Sequence, residues 1–372
     1  VNPPVYHGST VLYPTAKAFR NHDARYVYGS RATPTTDALD AAIAELEGAD
    51  GCHLAGSGRG AIVLALLSTL KAGDHLLLID NVYRPTRAIA ERFLPRLGIE
   101  TTYFDPLIGD GIEDLMRDNT SAVYLECPGS QTFEMCDVPA IAAVAKRRGA
   151  ITMVDNTWAS PLYFKPFDHG VDISIHAATK YIVGHSDAML GAVTAVGPAW
   201  EAVDRTFDLL RITAGAEEAY LGQRGIRTIE VRLARQMQSG LEIARWLQQR
   251  PEVDRVLHPG LPDDPGHAIW KRDFLGASSL FSVILTEPHQ SAVDAFLDAL
   301  TLFGMGASWG GYESLAVPFD PSTYRTATKW QCEGSPIRLH IGLEDVGDLK
   351  ADLETGFAAL ADAANASGQS QR

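Results

Sequence analysis

Residues 150–180 read AITMVDNTWASPLYFKPFDHGVDISIHAATK, and their pattern decides the architecture. Ile151, Met153 and Val154 form a short apolar run that stops at Asp155. Val171, Ile173 and Ile175 alternate with Asp172 and Ser174, and the chain then reaches Lys180 through small residues. Both runs have the length and β-branched content of strands. Each strand delivers an ionisable group where it leaves the core, in a place where solvation is poor.

The same arrangement recurs on both sides of this stretch. DHLLLIDNVY (74–83) is an apolar run that breaks at Asn81 and reaches Tyr83, and SAVYLECPGS (121–130) is another. GCHLAGSGRG (51–60) leads into the apolar helix AIVLALLSTLKAG (61–73). A helix is also expected after Thr33-Pro34, a cap followed by a first-turn proline, with Leu39, Ile43 and Leu46 on one face and Gly48 at its end. Strands alternating with helices predict an α/β fold with a mostly parallel central sheet between helical layers. Ligands of such sheets bind beyond the carboxyl ends of the strands. Gly58, Tyr83, Asp155 and Lys180 fall there.

Residues 1–30, rich in Pro, Tyr and Arg, read as an extended arm, and 31–226 as the large α/β domain. Past residue 226 the character changes. The amphipathic stretch TIEVRLARQMQSGLEIARWLQQR (228–250), the runs LFSVILTEP and IRLHIGLED, and a last helical pattern read as a smaller α+β domain over 227–372.

The chain has 372 residues, 46% hydrophobic and 21% charged, with a formal net charge of −14. No basic block offsets that acidity, which argues against a nucleic-acid partner. No apolar run approaches the roughly 18 residues of a membrane span. VNPPVYHGST lacks the basic and apolar segments of a secretory signal, so a cytoplasmic protein is expected. Cys52, Cys127, Cys136 and Cys332 show no C-x-x-C spacing and read as free thiols. His176 and His185 are nine residues apart, which is no metal-ligand spacing on a helix, and no metal is expected.

Taken singly the strand-end residues say little. GSGRG (56–60) suits an anion at a helix start, but a tight turn explains it as well. It is also the only support for a nicotinamide dehydrogenase, for which a third glycine at the proper spacing is missing. Asp155 alone is a cap or turn former, and Tyr83 alone is a rim aromatic. Together they match one cofactor. A desolvated lysine offers a neutral amine to a carbonyl, an acid partners a ring nitrogen, an aromatic stacks, and a glycine turn cradles phosphate, which are the needs of pyridoxal phosphate.

Several motifs then carry a resemblance over nearly the whole chain. ECPGS (126–130), VDNTWASPLYFKP (154–166), VDISIHAATKYIVGHSDAMLGAV (171–193), SWGGYESL (308–315) and IRLHIGLED (337–345) resemble the Cys/Met-metabolism family of pyridoxal-phosphate enzymes, its bacterial β-lyase branch above all. The resemblance implies fold type I, the aspartate aminotransferase-like architecture. It implies α,β-elimination of L-cystathionine to L-homocysteine, pyruvate and ammonia, a trans-sulfuration step of methionine biosynthesis. Neighbouring activities of the family are γ-lyase, γ-synthase and cysteine desulfhydrase chemistry. Lys180 is implied as the Schiff-base lysine and proton shuttle, Asp155 as the pyridinium partner, and Tyr83 as a catalytic residue that stacks on the ring and assists the proton transfers. Gly58, the amide of Arg59, Thr157 and Thr179 are implied around the cofactor. Arg338, with Ser308 and Trp309, is implied at the substrate carboxylate. Tyr28 is implied to reach the site of a neighbouring subunit, which makes the assembly a homotetramer of two active dimers.

Two positions depart from the family pattern. The arm has Ser30 where an arginine is usual, with Arg31 one residue on, and a one-residue shift in extended chain reverses the side-chain direction. Arg31 or Arg59 is expected to supply the missing cation. Ala307 replaces a tyrosine before Ser308-Trp309, which predicts a wider distal pocket.

Overall fold

The computed structural model describes residues 2–370. Its main sheet contains β1 (Gly51–Ala55), β2 (His75–Ile79), β3 (Glu100–Phe104), β4 (Thr120–Glu126), β5 (Ile151–Asp155), β6 (Ile173–His176) and β7 (Gly191–Ala195). Their spatial order is β1-β7-β6-β5-β4-β2-β3. β7 alone runs against its neighbours β1 and β6, and the pairs from β6 across to β3 are parallel. Residues 76–79 of β2, 122–125 of β4 and 173–176 of β6 are all buried, because helices cover both faces of the sheet. Each large aliphatic side chain buried there contributes about 1.5–3 kcal/mol.

Four helices precede or follow the first strands: α1 (Ala16–Asn21), α2 (Pro34–Glu47), α3 (Gly58–Thr69) and α4 (Arg84–Arg92). α2 starts and stops where the sequence predicts. The Thr33 side chain accepts from the Thr36 amide, and Gly48 ends the helix with φ of 76°. The arm is less extended than its composition suggests. Thr15 caps the short α1 by accepting from Ala18, and the arm folds back through a bridge between Thr10 and Tyr28.

A second, antiparallel sheet has the order β10-β11-β9-β8, from β8 (Val253–Leu257), β9 (Leu280–Leu285), β10 (Leu315–Pro318) and β11 (Ser335–His340). Phe281, Val283, Ile337 and Leu339 form its core with Phe296, Leu353 and Phe357 from helices Gln290–Ala299 and Val346–Ser370.

Two buried carboxylates tie distant segments together. Glu47, at the end of α2, accepts from Asn156 Nδ2, Ser174 Oγ and Thr194 Oγ1, each at 2.8 Å, and faces His176 Nε2 at 2.7 Å. Burial pushes its carboxyl up, but the imidazole and these donors outweigh burial and hold it below the ordinary carboxylate value. One acid thus gathers the chain at β5, β6 and β7. Asp80, just past β2, accepts from the amides of Thr326, Ala327 and Thr328 at 3.0, 3.1 and 3.0 Å. It also accepts from Arg87 Nη1 at 3.0 Å. The irregular segment 324–328 is thereby fastened to the large sheet.

Candidate active site

The parallel strands and β1 bring their carboxyl ends to one edge, where a cavity of about 590 Å³ opens between the two sheets. Its floor is Asp155 and Thr157, one wall carries Gly58 and Arg59, and the other carries Ser308 and Arg338. Tyr83, Thr179, Lys180, Ala307 and Trp309 also line it.

Asp155 is 8% exposed, and its Oδ1 accepts from the amide and hydroxyl of Thr157. Burial raises its carboxyl and the Thr157 donors oppose that rise. A buried acid held only by neutral donors is costly, and a protonated ring nitrogen would offset that cost. Thr157 does a second job. Its Oγ1 accepts from the amide of Ala177 at 2.9 Å, which joins the end of β5 to the turn leading to Lys180.

Lys180 is half-buried. Burial, and then the Arg338 charge, lower its ammonium from 10.5 to about 8. Its Nζ donates to Ser308 Oγ at 2.6 Å and lies 5.3 Å from the centroid of the Trp309 ring. Gly310, with φ of 85°, sits so close that a Cβ there would lie 3.0 Å from the Lys180 Cβ. Only glycine fits, and the small-sheet loop therefore packs directly on the lysine.

At the opposite wall the Ser57 side chain accepts from the Gly60 amide and starts α3. Among the described residues nothing accepts from the amides of Gly58 and Arg59, so this helix start presents free donors. A Cβ on Gly58 would lie 2.7 Å from the Ala177 Cβ, which explains glycine at the close approach of α3 to the lysine turn. Arg338 is 7% exposed; its Nη2 donates to the carbonyls of Gly306 and Ser308, while its buried Nε has no partner. Burial lowers its guanidinium to about 10. An unpaired buried donor aimed at a cavity wall suits a carboxylate.

Tyr83 is 42% exposed, and its amide donates to Glu126 Oε2 at 2.6 Å. Glu126, paired with Asp155 across β4 and β5, is a site residue that the strand patterns did not single out. Burial and then the Asp155 charge push its carboxyl well up. Its place at the end of the β4 run, in ECPGS, was the available signal. Thr179 lines the cavity, but its hydroxyl donates to the Leu190 carbonyl and accepts from the Leu190 amide, so it is spent on the turn.

Two arm residues lie elsewhere. Arg31 pairs with Asp204 at 2.6 Å and Asp208 at 3.1 Å on helix Gly197–Leu210, because the shift in register turns it toward that helix. Tyr28 is 48% exposed and does not line the cavity of its own chain. Arg59 remains as a cation beside the free amides of α3. Arg59→Ala is expected to weaken cofactor binding about tenfold to about a hundredfold, the worth of a charge-assisted hydrogen bond. Titrating apoenzyme with pyridoxal phosphate checks this, and an unchanged dissociation constant would refute it.

Among the described residues no cluster of His, Cys, Asp and Glu is arranged to hold a metal, and no helix is long and apolar enough to cross a membrane. The four cysteines are free. A lysine with a lowered pKa, a buried acid, an aromatic and a helix start with free amides, on this sheet, define a pyridoxal-phosphate-dependent enzyme of fold type I. The model of the Cys/Met metabolism PLP-dependent enzymes matches residues 1–358, and the chain belongs to that family. A Rhizobium johnstonii protein provisionally named cystathionine beta-lyase is 53% identical over 363 residues, 96% of this chain and 91% of that one. The cystathionine beta-lyase of Escherichia coli is 42% identical over 372 residues, covering 97% of this chain and 94% of its own. The solved cystathionine gamma synthase of Xanthomonas oryzae, in complex with aminoacrylate and cysteine, superimposes with a TM-score of 0.89 at 31% identity, covering 98% and 94% of the two chains.

Proposed function

We propose that the chain is a carbon–sulfur lyase that cleaves L-cystathionine to L-homocysteine, pyruvate and ammonia, in the trans-sulfuration branch of methionine biosynthesis. The observation that carries this reading is the hydrogen bond of Lys180 Nζ to Ser308 in a cavity that Arg338 and Asp155 also line. The likeness to the two β-lyases supports the choice of bond. The cytoplasm is the proposed compartment, and the homotetramer the proposed assembly. An arm whose Tyr28 stands away from its own cavity and whose Leu12 and Phe19 are exposed supports the latter.

The cofactor, when joined to Lys180, supplies a ring that accepts the electrons left at the substrate Cα. The protein's own groups do the rest. Arg338 holds the α-carboxylate with its fork, which fixes the Cα–H bond relative to Lys180. Asp155 keeps the proton on the ring nitrogen. Lys180, released by the incoming amine, takes the Cα proton. Burial, and then the Arg338 charge, lower its ammonium from 10.5 to about 8, which favours the neutral amine that this step needs. Ser308 Oγ accepts a hydrogen bond from Nζ and so aims the amine. The Cβ–S electrons leave with sulfur, which collects a proton from the lysine side, and the three-carbon remainder hydrolyses to pyruvate and ammonia.

The product identifies the bond that breaks. Incubation with L-cystathionine is expected to give equal amounts of pyruvate and free homocysteine thiol. 2-Oxobutyrate in place of pyruvate would mean γ-cleavage and overturn the β-lyase reading.

A further inference from the structure

The active cavity has a neighbour. Arg59 and Arg84 line it and also line an open groove of about 450 Å³, whose other walls are Pro85, Ala88, Ile89, Arg92 and Phe93. The two spaces therefore share a wall. The groove's residues on α4 fall at positions that make one helix face, apolar along its length and cationic at its edges. Among the described residues no carboxylate pairs with Arg59, Arg84 or Arg92. Arg87, on the other side of the same helix, is fully committed to Asp80 and Glu91, each at 3.0 Å.

Unpaired arginines on an exposed helix face are commonly just solvated. Arg84 is placed differently, because it stands on the cavity wall with its guanidinium 5.8 Å from the centre of the Tyr324 ring. Tyr324 is itself held: its hydroxyl donates to Gln131 Oε1 at 3.0 Å, and the next residues hang on Asp80. Three arginines line the cavity. Arg59 stands at the helix start that suits a phosphate, and Arg338 at the place for the α-carboxylate. Arg84 is the one without a task.

Resting on the β-lyase reading, we infer that Arg84, on the wall the two spaces share, binds the carboxylate of the leaving half of the substrate. The terminal carboxylate of a departing thiol with a short methylene chain meets Arg84 at the cavity wall, beside a groove whose net positive charge contrasts with a chain of net charge −14. The preferred substrate class is thus an S-substituted cysteine whose leaving half carries a carboxylate. Ala307, small where the pocket continues, leaves that recognition to this side of the cavity.

The test compares holoenzyme of the parent chain with Arg84→Met, which keeps the stem and removes the charge, and Arg84→Lys. Substrates are L-cystathionine and S-methyl-L-cysteine, which lacks the distal carboxylate. The ratio of their kcat/KM values is expected to fall about tenfold to about a hundredfold in Arg84→Met, chiefly through KM, and to recover in part in Arg84→Lys. Inhibition of S-methyl-L-cysteine turnover by L-homocysteine is expected to weaken by the same factor, and inhibition by ethanethiol to stay. Cofactor absorbance and Tm serve as controls. An unchanged ratio overturns the inference. So does a parallel loss on both substrates with loss of cofactor, which would assign Arg84 to the phosphate. Should the parent chain make no pyruvate from cystathionine, the β-lyase reading fails and the inference with it, whereas pyruvate from both substrates with an unchanged ratio in Arg84→Met overturns the inference alone.

Discussion

Lys180→Ala is expected to lose about ten-thousandfold or more of the cystathionine turnover. One side chain both exchanges with the substrate amine and moves the Cα proton, and general acid–base work alone is worth about 10²–10⁴. Lys180→Arg should be as inactive. It keeps a cationic donor where the Lys180 ammonium meets Ser308, but it cannot give up a proton near neutral pH. The pair separates structure from chemistry, because both variants should keep the parent Tm. Pyruvate release within about tenfold of the parent rate in either variant would refute the role given to this lysine.

The second large effect is expected at Asp155. Asp155→Asn keeps an oxygen for the two Thr157 donors, so the junction between β5 and the lysine turn survives. What it removes is the negative charge proposed to keep a proton on the ring nitrogen. Losing a preorganised charge of this kind is worth about 10²–10³ in kcat. The expected result is a fall of that size in kcat with KM for L-cystathionine changed little and Tm retained. If Asp155→Ala lost stability and Asp155→Asn kept full turnover, the carboxylate would be a structural cap and the electrostatic role would be wrong.

The positions of both residues could be read before any coordinates, and for the same reason. A strand buried on both faces is written in apolar residues, so the first ionisable group after it marks where the core ends. Asp155 and Lys180 stand at such ends, and the cavity lies there. What could not be read depends on approach between segments far apart in the chain. Asp80 meets Thr326 over 246 positions and Glu47 meets Ser174 over 127, and no local pattern marks either acid as a hub. Arg31 is similar. Its direction follows from the side of the arm facing helix Gly197–Leu210, where Asp204 and Asp208 wait. The reversed course of β7 was hidden too, because a short apolar strand reads the same in both directions.

The knot at Asp80 has a consequence for how such enzymes diversify. Half of the donors it takes from the segment beside the cavity's outer wall are main-chain amides, of Thr326, Ala327 and Thr328, which are present whatever side chains the wall carries. Phe319, Asp320 and Tyr324, which line the cavity from that wall, can therefore be exchanged while the mooring holds. The lysine and its acid partner sit on the other sheet and do not feel the exchange. A lineage can re-tailor what it accepts without reopening the question of how it reacts.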